Sequence, residues 1–317
     1  MSRSSTKHSG CKVPGILDEV HWLIEERSMG FVLCGSSARK LKRTHANMLG
    51  GRAWRFELHP LTFAEIPNFD LLRALNHGLV PSHYLEEERY LSRTLGAYIT
   101  DYMREEIMEE GLVRNVPAFS RFLDVLGFCS GELVRYSNIA RESGVDAKTV
   151  REYFRILADT HLGSLVEPYT GTRKRSVLAR TPRFYLFDVG IAGHLARRAV
   201  REERGPEFGR ALEHLMFMEL TAYRSYAEKS FEINYWRTST GLEVDFVLAK
   251  GEVAIEVKGK RLLTNKDTRG LRTFLAETPG PCTGIVVSGE SAPRRVGEIT
   301  ILPWAVFLDR LWNGEVI

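Results

Sequence analysis

Apolar residues recur with period two between Glu243 and Lys258, and at helical spacing through much of the rest of the chain. In the first stretch Val244, Phe246 and Leu248 alternate with polar or smaller neighbours, and Val253, Ile255 and Val257 repeat the pattern. A two-residue turn at Lys250-Gly251, with Gly supplying the positive φ such turns favour, makes this a β-hairpin. Its register pairs Val244 with Val257, Phe246 with Ile255 and Leu248 with Val253, which gives one continuous apolar face. On the other face the same register sets Asp245 opposite Glu256.

Helical spacing begins near the N-terminus. Ile16, Leu17, Val20, Leu23 and Ile24 recur as on one helix, and Pro14 suits its start. The acidic pair in Leu17-Asp18-Glu19 therefore reads as part of a helix and not as a Walker B strand end. Phe31 to Cys34 is a short apolar run before Gly35-Ser36-Ser37, which predicts a strand, a polar loop and a helix cap at Ser37. From Leu61 to Gly111 the pattern is helical throughout. Thr62-Phe-Ala-Glu65 has the form of a capping box, and Leu91, Leu95, Ile99 and Met103 recur every four residues.

Pro117 opens a new unit. Ala118 to Cys129 predicts one helix, Tyr136 to Ser143 a second, Gly144-Val-Asp146 a turn with Asp146 as N-cap, and Ala147 to Thr160 a third. Strands at Leu165 to Tyr169 and Arg183 to Phe187, joined through the basic turn Gly171 to Ser176, complete the layout of a winged helix-turn-helix. Val150, Phe154 and Leu157 face inward on the third helix, leaving Lys148, Thr149, Arg151, Glu152 and Arg155 outward. Lys148, Thr149, Arg151, Arg155, Arg173, Lys174 and Arg175 are the candidate DNA contacts, suited to phosphates. Winged helices also serve as protein-interaction modules, and charged outer faces are often merely solvated. Phe184, Tyr185 and Phe187 read as strand packing.

Composition changes this picture little. The chain has 317 residues, 44% hydrophobic, which suits two or three ordinary domains. Its four cysteines lie far apart, so neither a zinc site nor a disulfide framework is indicated. No apolar stretch approaches a membrane span and no signal-peptide core is present, which makes a reducing cytoplasm the expected compartment and a membrane an unexpected partner. The net charge of +4 is mild, yet Thr170 to Arg210 holds ten Lys or Arg against four acids, a segment able to attract nucleic acid. Glu86 to Glu110 holds eight acids and three bases and reads as a solvated helix face.

The candidate chemistry sits in the hairpin. Directly opposed side chains have Cβ atoms roughly 4.5–5.5 Å apart, and two carboxylates there repel. Something positive must compensate. Mg²⁺ or Mn²⁺ held by Asp245 and Glu256 would do so, since hard cations take oxygen ligands. Lys258, two residues beyond Glu256, shares its face and could position a water or neutralise a phosphate. Glu213 lies in an apolar helix, Ala211 to Leu220, where a buried carboxylate needs a partner. An exposed hairpin in which Glu243 and Glu256 pair with Lys258 is the alternative. His161, His194 and His214 have no ligand-spaced partners and read as structural or surface residues.

Glu213, Asp245 and Glu256-Val257-Lys258, with Tyr235-Trp236-Arg237 before the hairpin, resemble the C-terminal domain of prokaryotic AAA+-like ATPases known as domain of unknown function 4143, itself similar to the PD-(D/E)xK nuclease fold. The resemblance extends back through Phe31 to Ser37 and Leu49 to Leu61, and so covers nearly the whole chain from about Lys12. It implies an α/β multidomain fold: a partial AAA+ sheet (12–60), a helical lid (61–115), the winged helix-turn-helix (116–205) and a PD-(D/E)xK-like α/β domain (206–317), with 1–11 a disordered or spurious start. It also implies catalytic roles for Glu213, Asp245, Glu256 and Lys258 and a sensor-like position for Phe31 to Ser37. Intact members use ATP at a P-loop. No G-x-x-x-x-G-K-[ST] occurs here: Gly259-Lys260 is followed by Arg261 and has Ala254 at the first glycine position. Ser36, Ser37 and Arg39 are then the remnant of an ATP site, and ATP hydrolysis is not expected of this chain alone. A homo-oligomer or partner chain supplying a P-loop would change that. Two function classes follow: a DNA-binding, metal-dependent nuclease-like protein, or a binding, regulatory or non-functional fragment that does not cut.

Overall fold

The computed structural model describes residues 16–33, 54, 56–103, 113, 115–171 and 181–317. Ile16–Arg27 forms helix α1, as the spacing of its apolar residues predicts. The strand expected to follow is not formed. Phe31, Val32 and Leu33 lie outside regular structure and are exposed; a strand needs a paired neighbour and a buried face, and among the described residues none pairs with them. Ser36, Ser37 and Arg39 lie outside the described residues.

The helical region beyond Leu61 is broken into short pieces by its own prolines and glycines. Glu65 reaches back to the N–H and hydroxyl of Thr62, each at 2.9 Å, but the box opens only a 3₁₀ turn, Phe63–Glu65, before Pro67. Helices α2 (Leu71–His77), α3 (Pro81–Tyr84) and α4 (Glu88–Ala97) follow, then a π-helical turn, Tyr98–Met103. Leu91 and Leu95 are buried on the face predicted by their spacing.

Helix α5 (Val116–Cys129) starts at an Asn115 cap, with Pro117 in the first turn, where its missing N–H costs nothing. Helices α6 (Tyr136–Ser143) and α7 (Ala147–Asp159) are joined through Gly144, whose φ of +69° closes the first and turns the chain. Asp146 accepts the N–H groups of Lys148 and Thr149 at 2.8 and 3.0 Å, fixing the start of α7. Strands β1 (Glu132–Leu133), β2 (Gly163–Val166) and β3 (Arg183–Leu186) make a small antiparallel sheet in the order β1-β3-β2. Phe119, Phe122, Val150, Phe154, Leu157 and Phe184 join these helices and strands into one core. Helix α8 (Val189–Leu195) then packs against α2. Gly190 allows this, because a Cβ there would stand 2.2 Å from the Gly78 nitrogen.

The larger sheet has six strands in the order β4-β5-β6-β7-β9-β8: β4 (Ile233–Arg237), β5 (Glu243–Leu248), β6 (Val253–Lys258), β7 (Thr283–Ser288), β8 (Arg294–Val296) and β9 (Ile299–Pro303). Strands β6, β7 and β9 are parallel; the remaining pairs are antiparallel. Helices α9 (Gly205–Tyr226) and α11 (Trp304–Trp312) cover one face through Phe217, Phe246, Ile255, Val287 and Leu308. Helix α10 (Arg269–Glu277) covers the other through Trp236, Val247, Leu271, Phe274 and Val286. Burial on both faces explains why the central strands are apolar almost throughout. The whole is a mixed α/β architecture. No helix among the described residues is long and apolar enough to cross a membrane.

The two sheets are joined. Beyond β2, Glu167 and Tyr169 exchange backbone hydrogen bonds with Tyr235 of β4, at 3.2 and 2.6 Å. The start of β3 is thereby held beside the start of the hairpin, and this positions the site.

Candidate functional site

Alternation sets the hairpin register. Phe246 faces Ile255 and Leu248 faces Val253, as predicted, although four residues, Ala249 to Glu252, make the connection in place of the expected two. Ala249, Lys250 and Gly251 all have positive φ, so the turn is tighter in backbone conformation than in length. At Asp245 the regular pattern stops. Between the pairs Asn234–Val247 and Trp236–Val244, β4 contributes Tyr235 alone while β5 contributes Asp245 and Phe246, which is a β-bulge. Val244 consequently packs with Trp236 on the α10 side, not with Val257. Close packing of α10 against this point depends on Gly270, where a Cβ would lie 2.2 Å from the Glu243 carbonyl oxygen.

The bulge takes Asp245 out of the ladder and puts its side chain to use. Oδ2 accepts the N–H of Val257 at 2.8 Å, and Oδ1 lies 3.4 Å from Nη1 of Arg183. Asp245 is 3% exposed. Glu256, 4% exposed, faces the same acidic surroundings. Its Oε1 accepts from Nζ of Lys258, and its Oε2 is buried with no partner. Burial, then the charge of Asp245, pushes the Glu256 carboxyl well above the ordinary carboxylate range. Burial works against the charge on Lys258, but Glu256 and Asp245 outweigh it and hold the ammonium protonated.

The cation that answers these carboxylates is Arg183, at the start of β3. Nη1 lies 3.2 Å from Oε1 of Glu213 as well as 3.4 Å from Asp245, and Nη2 lies 3.0 Å from Oε2 of Glu243. Its guanidinium also sits over the Tyr235 ring, 5.0 Å from the centroid. Tyr185, two residues on and hence on the same face of β3, donates its hydroxyl to Oε1 of Glu213 at 2.6 Å. Burial and the nearby Asp245 raise the Glu213 carboxyl to about 8 in spite of Arg183. Arg237 supports Glu243 at 2.9 Å.

The structure thus brings together the four residues that the sequence nominates for catalysis, and adds Arg183, Tyr185 and Glu243. In donor type the set fits a hard divalent cation: Asp245, Glu213 and Glu256 offer carboxylate oxygens, and Oε2 of Glu256 is a buried acceptor with nothing to accept. In arrangement Arg183 stands between Glu213 and Asp245, and among the described residues no group of three or more His, Cys, Asp and Glu is placed to hold a metal ion. Sequence reasoning puts Arg183 in a wing strand and gives it no partner. The available signal is a charge at the head of an apolar strand, Arg183-Phe-Tyr-Leu-Phe187, where burial demands an anion.

On α7, Lys148, Arg151 and Arg155 are exposed along one stripe, at i, i+3 and i+7. Arg151 lies 5.0 Å from the centroid of the Tyr136 ring, and Arg155 pairs with Glu152 at 3.3 Å. The Thr149 hydroxyl is committed to Asp146 at 2.7 Å. Arg173, Lys174 and Arg175 lie outside the described residues. His214, buried on α9, shares a hydrogen bond of 2.7 Å with the Leu186 carbonyl, a structural role.

Comparison with known proteins divides the chain in three. Residues 11–67 match an AAA domain, residues 68–202 match Domain of unknown function (DUF8612), and residues 208–307 match Domain of unknown function (DUF4143). Arg183 falls in the second segment and its carboxylate partners in the third. A Haemophilus influenzae protein described as "Uncharacterized protein" is 20% identical over 281 residues, covering 78% of this chain and 67% of that one. No solved structure matches. Between residues 11 and 307 the chain is similar in turn to an AAA domain, DUF8612 and DUF4143, an order consistent with an AAA-like ATPase-family protein that carries a DUF4143 domain.

Proposed function

We propose that this chain is the DNA-engaging end of an AAA-like ATPase-family protein, with a winged helix-turn-helix over 116–205 and a PD-(D/E)xK-like, metal-dependent nuclease domain over 206–317. The observation that carries the reading is the meeting of Asp245, Glu256 and Lys258 at the bulged end of the β5–β6 hairpin, with Oε2 of Glu256 buried and unpartnered. Asp245 and Glu256 are the residues that would hold Mg²⁺ or Mn²⁺, which when bound polarises a phosphoryl oxygen and activates water. Glu213 adds a third carboxylate. Lys258, held protonated, supplies positive charge for a phosphate. Lys148, Arg151 and Arg155 supply phosphate contacts from α7, and with them affinity without sequence reading. ATP enters this reading only where a P-loop is available to this chain, and Ser36, Ser37 and Arg39 would be its remnant partners.

A second reading has its own support. Arg183 already answers Glu213, Glu243 and Asp245, so the carboxylates can serve as an ion-pair joint in a protein that binds DNA or another protein and does not cut. Labelled single- and double-stranded DNA, incubated with the chain and Mn²⁺ or Mg²⁺ beside Glu256→Ala and Lys258→Ala, separates the two. The first reading expects cleavage that both substitutions abolish while binding persists. Absence of cleavage, with binding unchanged by the substitutions, leaves the second.

A further inference from the structure

We infer that the segment from Gly259 to Arg269, which joins β6 to α10, is a second nucleic-acid contact surface that holds the phosphate backbone beside Lys258. The inference rests on the DNA reading above and adds where the strand lies at the hairpin. Placement comes first. Ala254 packs in one core with Leu271 and Phe274 of α10, and Glu256 and Lys258, two and four residues on, share its face of β6. The segment therefore lies on the side from which Glu256 and Lys258 project. It leaves β6 at Lys258 and returns beside β5, where a Cβ on Gly270 would stand 2.2 Å from the Glu243 carbonyl oxygen. Its two ends thus border the carboxylate cluster.

Charge follows the same layout. Lys260 is spent on Asp267, and Arg272 on Asn265 and Thr268. Arg261, Lys266 and Arg269 are exposed and have no carboxylate partner among the described residues. Carboxylates alone would repel a phosphate chain, and free cations at both ends of the segment offset that repulsion. Arg261 is three residues beyond Lys258, so its Cα is at most about 11 Å away. Nucleotides of one strand rise about 3.4 Å each, which brings a phosphate within roughly three nucleotides of Lys258 into reach of Arg261. The segment is also fixed in shape, as a merely solvated loop need not be. The Lys260 carbonyl accepts the N–H of Gly289 at 2.9 Å, Glu290 accepts that of Leu263 at 3.1 Å, and Asp267 accepts that of Thr264 at 2.8 Å. Leu263 is buried, which turns Leu262 outward, 78% exposed, beside Arg261. An apolar side chain next to a cation suits a sugar or base edge behind a bound phosphate.

Fluorescence anisotropy of a labelled DNA duplex with the full-length chain, titrated in EDTA over a series of salt concentrations, tests this without reference to metal or cleavage. Each phosphate contact contributes about 0.9 to the slope of log affinity against log salt. The variant carrying Arg261→Gln, Lys266→Gln and Arg269→Gln together is expected to show a slope shallower than wild type by about 2 to 3. Should that variant fail to fold, Arg261→Gln alone decides, with an expected change of about 0.9. An unchanged slope, with wild type binding DNA, overturns the inference and leaves the α7 contacts standing. Equal slopes on DNA with lost binding to phosphatidylserine vesicles would assign the surface to lipid headgroups and overturn it as well. No DNA binding by wild type overturns the DNA reading, and this inference with it.

Discussion

Glu213 and Glu219 lie on the same helix, α9, and each is a carboxylate drawn into the protein, yet they are answered in opposite ways. Glu213 meets a guanidinium and a phenol in a cluster that also contains Glu243 and Asp245. Glu219, 1% exposed, meets neutral donors only: Phe63 N–H at 2.8 Å and Trp312 Nε1–H at 2.7 Å. The Glu219 site ties the segment before α2 and the terminal helix α11 to α9, and both of its oxygens are used. The Glu213 site leaves polar atoms unmet and joins parts of the chain that resemble different families. Neutral donors around a lone carboxylate suit a permanent tie. The guanidinium of Arg183 ties the head of β3 to α9 and β5.

The largest expected effect lies on the charged side of this comparison. Replacing Arg183 by Met leaves Glu213 and Asp245 without their cation, and breaking such a buried pair costs about 3–5 kcal/mol; urea unfolding would register it, and a loss below ~1 kcal/mol would mean that solvent already screens the cluster. Next comes Glu219, whose carboxyl burial raises to about 7 from an ordinary value of 4.5. The native state keeps a proton that the unfolded chain has released, so this group's contribution is greatest at acidic pH. It is lost as pH rises between roughly 4.5 and 7, by at most ~3 kcal/mol. Glu219→Gln should lower stability at pH 5 by about 1–3 kcal/mol, because its amide N–H₂ cannot accept from the second donor, and should flatten the slope between pH 5 and 8 relative to wild type. A parallel slope in the two proteins would remove Glu219 as its source. The smallest effect is expected away from both sites: Asp146→Ala uncaps α7 and should cost about 1 kcal/mol, visible in thermal unfolding.

The legible parts of this fold are those fixed by local periodicity. Period two set the pairs Phe246–Ile255 and Leu248–Val253, and the Asp146 cap with Gly144 before it marked the turn between α6 and α7. The bulge at Asp245 was not legible, because an extra residue in β5 has meaning only against β4, and the identity of that partner is a tertiary fact. Strand β9, Ile299–Pro303, went unread although Ile299 and Ile301 alternate after Gly297: five residues give little periodic signal. The run from Leu61 to Gly111 reads as continuous helix in its apolar spacing, yet Pro67, Gly78 and Pro81 divide it. Of the candidate site, Asp245, Glu256 and Lys258 were visible as a pattern within one hairpin, and Glu213 as a carboxylate on an apolar helix. Arg183 was not, since 30 residues separate it from Glu213 and 62 from Asp245, and nothing local announces such a pairing.

A double-mutant cycle in unfolding free energy between Arg183→Met and Asp245→Asn tests most directly whether Arg183 is the counter-ion of this cluster. The account predicts that Asp245→Asn recovers part of the loss caused by Arg183→Met, with a coupling of about 2 kcal/mol or more, since removal of one charge relieves the burial of the other. Losses that add to within ~0.5 kcal/mol, as for independent sites, would contradict it.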